Sequence, residues 1–185
     1  MSDDAAAAAA NKKVKTGWEG HTLNANEALM KYDEGKHFKD ITKVQDLQGI
    51  GPHAEKVMHA LHIDSVEQLA KYKYFLLARA LATLAETEVD GKRPSNSVMN
   101  VDKALDHEYE SKSFKEICAA PVSALEGLTD AAADLLKELH VHTIAELAEF
   151  KYCRWAEAVV LLGEHYEHTS TAAERKQERE LKKLG

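Results

Sequence analysis

The stretch Gly49-Ile50-Gly51-Pro52, followed by Lys56, is the part of this chain best suited to chemistry. Glycines on either side of an apolar residue permit backbone angles closed to other residues, and Ile50 can plug the turn into a core. Pro52 suits the first position of a helix, where no amide hydrogen is needed. The free amides and the dipole of such a helix start form an anion site. Gly49, Ile50 and Gly51 are therefore candidate anion- or phosphate-binding residues. Binding of that kind requires the amides to be exposed and flanked by Lys39, Lys43 or Lys56.

Other reactive side chains lack the spacing that chemistry needs. His59 and His62, and His165 and His168, are three apart, and His140 and His142 flank Val141, but no second ligand pair stands at zinc spacing. No metal site is expected; His62 and His140 instead suit a helix end, capping its last carbonyls or packing over the turn. Cys118 and Cys153 read as buried, reduced thiols. Carboxylate pairs such as Asp33-Glu34 are those of a solvated acidic helix. No nucleophile elbow, phosphate loop, dinucleotide fingerprint or His-Glu-x-x-His is present, so no catalytic residue and no cofactor is assigned and an enzyme is not expected. Tyr72-Lys73-Tyr74, mirrored by Phe150-Lys151-Tyr152, has the alternation used in base stacking, but its recurrence at a helix start favours packing.

Composition sets the elements that must position these residues. In 185 residues there are 44% hydrophobic, 30% charged and 6% aromatic, with three Pro and nine Gly. That is too little turn punctuation for an all-β fold and too polar a chain for the membrane, so the fold class is all-α. Basic residues number 24 against 31 acidic, net −7, which argues against nucleic acid as the main partner. The acidic start is unlike a secretory or transit leader, and no apolar run approaches the ~18 residues of a membrane span. The expectation is a soluble, intracellular protein, in cytoplasm or nucleus, with no membrane partner.

The chain is internally duplicated. Residues 49–86 align without gaps to residues 127–164 at an offset of 78, with 12 of 38 positions identical. Further upstream, Phe38-Lys-Asp-Ile matches Phe114-Lys-Glu-Ile at an offset of 76, so the second copy carries two extra residues around Pro121. The expected organisation is a low-complexity, largely disordered N-terminus (1–23), a first helical repeat (24–90), a linker (91–99), a second repeat (100–167) and a charged C-terminal helix (168–185).

Each copy reads as several short helices. Ala54, Val57, Met58 and Leu61, like Ala132, Leu135, Leu136 and Leu139, fall at i, i+3, i+4, i+7 and make one apolar stripe. Ser65 with Gln68, and Thr143 with Glu146, have capping-box spacing. The last helix of each copy carries Tyr74, Leu77, Ala78, Leu81 and Leu84, or Tyr152, Trp155, Ala156, Val159 and Leu162, and is expected to be the most buried element. In the tail only Ala172, Leu181 and Leu184 are apolar enough to pack, so that helix is expected to be solvated.

Leu47-Gln-Gly49-Ile50-Gly51-Pro52 and the residues after it resemble the hairpin of the helix-hairpin-helix families, and the chain resembles tandem helix-hairpin-helix (SAM-like helical) domains of uncharacterised, non-enzymatic type. The resemblance implies two such units packed together, with a backbone phosphate taken at the hairpin in nucleic-acid-binding members and a basic residue of the following helix, here Lys56, assisting, which adds Lys56 to the candidate anion- or phosphate-binding residues. The second hairpin, Gly127-Leu128-Thr129-Asp130, departs from the pattern: Thr129 replaces the second Gly and can cap its own helix, and Asp134 answers Lys56. Residues 24–90 carry net −3 and residues 100–167 net −8, so the second copy is a poor surface for phosphates.

The function expected is a non-enzymatic interaction or scaffold module. Two packed copies leave a groove, and the acidic second copy suits a protein partner with a basic segment. Arg154, Trp155 and the helix after Thr143 are the candidate protein-binding face, unless Trp155 is simply core. The alternative is weak, sequence-independent DNA or RNA binding through the first hairpin.

Overall fold

The computed structural model of the protein describes residues 28–29, 37–89 and 93–184; the low-complexity stretch 1–23 lies outside them. The described residues are mostly helical and contain no strand, only isolated bridges such as Leu29 to Leu47 and Leu105 to Leu125. Among them, no helix is long and apolar enough to cross a membrane.

The first half contains 3-10 turns at Phe38–Asp40 and Val44–Asp46, then helices α1 (Pro52–Ala60), α2 (Val66–Ala70) and α3 (Lys73–Ala85). The second half has turns at Asp102–Ala104 and His107–Tyr109, helix α4 (Phe114–Ala119), a turn at Val122–Ala124, then α5 (Asp130–Glu138), α6 (Ile144–Ala148) and α7 (Lys151–His165). A final helix, α8 (Ala172–Lys182), buries nothing and leaves Leu181 and Leu184 exposed, as its sequence predicts.

Start signals act where the spacing places them. Ser65 Oγ accepts from the Gln68 amide at 3.1 Å, and Thr143 Oγ1 accepts from the Glu146 amide at 3.2 Å. Only Thr143 completes the box, because Glu146 accepts from the Thr143 amide whereas Gln68 reaches the amide of Asp64 instead.

The halves do not stand side by side as closed units. Helix α3 packs against α4 and α6 of the second half, and α7 packs against α2 and the Phe38–Asp40 turn of the first. Each half thus lends its longest apolar helix to the other. The reason lies in the helices' hydrophobicity: α3 buries Tyr74, Phe75, Ala78, Leu81 and Ala85, and α7 buries Cys153, Ala156 and Val159. The helices α2 and α6, five residues each, are too short to stand alone and need a longer surface to cover them. Together these side chains form one continuous core spanning both halves. The last helices are less enclosed than expected at their outer ends, where Leu84 and Leu162 are 46% and 38% exposed.

Contacts across the seam come in matching pairs. Glu167, just past α7, accepts from the Phe38 and Lys39 amides at 2.8 and 3.3 Å, and Glu88, just past α3, accepts from the Phe114 and Lys115 amides at 2.8 and 3.0 Å. Each carboxylate satisfies two free amides of an element in the opposite half. Helices α1 and α5 meet each other directly.

Candidate functional site

The first hairpin has the turn its sequence predicts, with one correction. Gly49 has φ +94°, a left-handed conformation in which a side chain is strained, and Ile50 is buried beneath it. Gly51 is different: as N-cap of α1 it has φ −85° and ψ 175°, ordinary extended backbone, and a Cβ there would meet nothing. Only the first glycine is demanded by backbone conformation. Gly51 supplies no side-chain hydrogen bond to the helix start, and Lys56 is exposed one turn further on.

The second hairpin shares the left-handed glycine, Gly127 at φ +80°, but closes its helix start differently. Thr129 is the N-cap and its hydroxyl accepts from the Ala132 amide at 3.2 Å. The amide that would face an anion is taken, and Asp130 occupies the first turn.

The back of the first hairpin is covered by the second half. The Tyr152 hydroxyl, at the start of α7, donates to the Gly49 carbonyl at 3.0 Å, and a Cβ on Gly49 would lie 2.9 Å from that oxygen. Tyr74 stands over Gly127 in the same way, its hydroxyl 3.3 Å from where a Cβ would be. These tyrosines explain the aromatic pairs: Tyr72 with Tyr74, and Phe150 with Tyr152, pack edge to face at 5.6 and 5.4 Å, bracing the ring that crosses the seam.

Trp155 joins this cluster. It is half-buried and meets Tyr152 edge to face at 5.6 Å, with the Lys151 ammonium 4.9 Å from the Tyr152 ring centre and 5.3 Å from that of Trp155. Arg154 is exposed and paired with Glu149. The two groups of residues that the sequence singles out separately are therefore one place, linked as Trp155, Tyr152, Gly49.

The electrostatics around the first hairpin are mixed. Glu138 of α5 lies 3.4 Å from His53 in the first turn of α1, so a carboxylate from the second half stands at the helix start. Lys39 does not flank it. Its amide is held by Glu167 and its backbone packs against Gly163, eleven residues along α7 from Tyr152, about 16 Å away at 1.5 Å per residue. Tyr152 and Glu138 are the site residues that sequence reasoning misses; the identity of Tyr74 and Tyr152 at an offset of 78 is the signal for the first, and nothing local signals the second.

The histidines play a backbone part. His62 and His140 have φ +62° and +60°, the left-handed position after α1 and α5. His62 and Ile63 donate to the carbonyls of His59 and Met58, and His140 and Val141 to those of Lys137 and Leu136, the paired bonds of a Schellman ending. Both side chains are exposed, so the imidazoles do not cap the helix as expected; the backbone does. Among the described residues, no group of three or more His, Cys, Asp or Glu is placed to hold a metal. Cys118 and Cys153 are free and buried, and burial pushes both thiols up.

No family model, curated protein or solved structure matches this chain.

Proposed function

We propose that the protein is a non-enzymatic interaction module, built from two duplicated helix-hairpin-helix units that have exchanged their last helices, and that it docks a protein partner carrying a basic segment at the Trp155 and Arg154 face. The observation that carries this reading is the seam at the first hairpin. There a half-buried Trp155 rests on Tyr152, which is itself hydrogen-bonded to Gly49, while Glu138 of the acidic second half stands at His53 and Glu149 pairs with Arg154. A partly exposed tryptophan on a rigid support, in a half of net −8, has the make-up of an interface hot spot for a cationic segment.

A second reading, weak sequence-independent binding of DNA or RNA, is favoured by one feature. The α1 start has no side-chain cap and carries the exposed Lys56. The net charge of −7 and the Glu138 carboxylate oppose it.

Affinity capture from the native cell, using the wild-type chain and Trp155→Leu as baits, tests the first reading; leucine is what position 77 carries at the matching place. The reading expects capture of a specific partner to fall several-fold with Trp155→Leu and with Glu149→Lys. Capture unchanged by both variants contradicts it. A titration with DNA and RNA at low and moderate salt separates the second reading: micromolar binding with a steep salt slope, lost on Lys56→Glu, would put nucleic acid first.

A further inference from the structure

The seam between the halves has a symmetry that its charges break. Exchanged helices, a tyrosine over a glycine in each direction and a carboxylate over two amides in each direction make the interface close to isologous, one surface meeting its own copy. Most of these contacts would be kept if a first half met another first half, or a second half another second half. Gly49 and Gly127 are both glycine, Tyr74 and Tyr152 both tyrosine, Glu88 and Glu167 both glutamate.

The exception is where a position meets its own counterpart. Arg79 of α3 is hydrogen-bonded to Glu157 of α7, 78 residues away, the same offset that relates the copies. Arg79 also lies over the Phe75 ring, its guanidinium carbon 5.1 Å from the ring centre, which fixes its direction. Pairing two second halves would set Glu157 against Glu157, and pairing two first halves would set Arg79 against Arg79. The contact between α1 and α5 reinforces the first penalty. Helix α5 carries Asp130, Asp134 and Glu138, and Glu138 meets His53 of α1; two copies of α5 would bring those acids together.

We propose that Arg79 and Glu157 set the pairing code of the seam, admitting a first half only to a second half, so that the surface fits a second copy of this chain by reciprocal exchange of halves and not by like-to-like contact. This pairing code rests on the proposed build of two matching halves, but not on the identity of any docked partner. Like charges opposed at a single position are a negative-design device, acting through the pairings they forbid more than through the one they allow. The linker provides the hinge: residues 95–99 are exposed, with Val98 and Met99 at 95% and 80%.

Charge reversal on the full chain tests this. Arg79→Glu opposes two glutamates within a chain, and Glu157→Arg opposes two arginines; mixing the two chains allows both pairs to be restored only in a dimer that exchanges halves. Each single variant, the double variant Arg79→Glu/Glu157→Arg and the one-to-one mixture are refolded from urea at the same total concentration and weighed by size-exclusion light scattering. The dimer fraction of the mixture is expected to exceed that of either single variant about tenfold, the shift given by ~1.4 kcal/mol of restored pairing, and the double variant to match the wild type. A mixture no more dimeric than its components overturns the pairing code and leaves the two-halves reading standing. A double variant no better than the single ones, together with halves that part after cleavage between Ser95 and Asn96, overturns both.

Discussion

The two hairpins begin with the same left-handed glycine and end in the same Schellman turn, yet differ at the one place where a ligand would bind. At Gly51 the helix start is left without a side-chain cap; at Thr129 it is closed by a hydroxyl bonded to the Ala132 amide. What the fold needs is the same in both halves, the glycine under a tyrosine from the other half, and what it does not need differs. A motif matched by sequence therefore mixes two kinds of residue: Gly49 is structural and Gly51 is free to vary.

Variants that transfer a feature from one half to the other sharpen this contrast. The largest effect is expected at Gly163, where a Cβ would lie 3.0 Å from the Lys39 amide nitrogen and 3.1 Å from Phe38 Cβ. Gly163→Ala should cost about 1–3 kcal/mol in urea unfolding through overpacking, outweighing the usual helix gain of ~1 kcal/mol. The matching Ala85 already carries a Cβ in its core position, so Ala85→Gly should instead lose ~1 kcal/mol of propensity. Next, Gly49→Ala should cost ~1–2 kcal/mol for its positive φ and the Tyr152 contact, whereas Gly51→Ala should lie within about 0.5 kcal/mol of wild type. Equal losses at the two glycines would break the comparison. Thr129→Ala should cost ~1 kcal/mol by opening the second helix start, and Gly51→Ser should gain a few tenths of a kcal/mol, roughly, by closing the first.

The smallest effect distinguishes Glu146 from its counterpart Gln68. Amide hydrogen bonds from His142 and Thr143 hold the Glu146 carboxyl below the usual glutamate range. A depressed folded value means that this contribution is present at neutral pH and lost as the pH falls through and below that range. Glu146→Gln should flatten the acid limb of the stability profile measured between pH 3 and 6, roughly the span over which such carboxylates titrate.

Much of this was legible from residue spacing. The helix stripes, the hydroxyl caps at Ser65, Thr129 and Thr143, and the solvated tail follow from local chemistry, and the structure shows them. The exchange of α3 and α7 was not legible, because an apolar helix declares that it must be covered but not by which half. Burial of Tyr152 against Gly49 is likewise a contact between residues 103 apart, which periodicity does not record. Nor does spacing tell Gly49 from Gly51, since φ at each depends on where the turn is held from outside.

Cleavage of the linker tests the exchanged architecture most directly. With a protease site placed between Ser95 and Asn96 and the chain cut under native conditions, the two pieces are predicted to elute together and to unfold in urea as one cooperative transition. Separation of the pieces without denaturant, or two independent transitions, would contradict it.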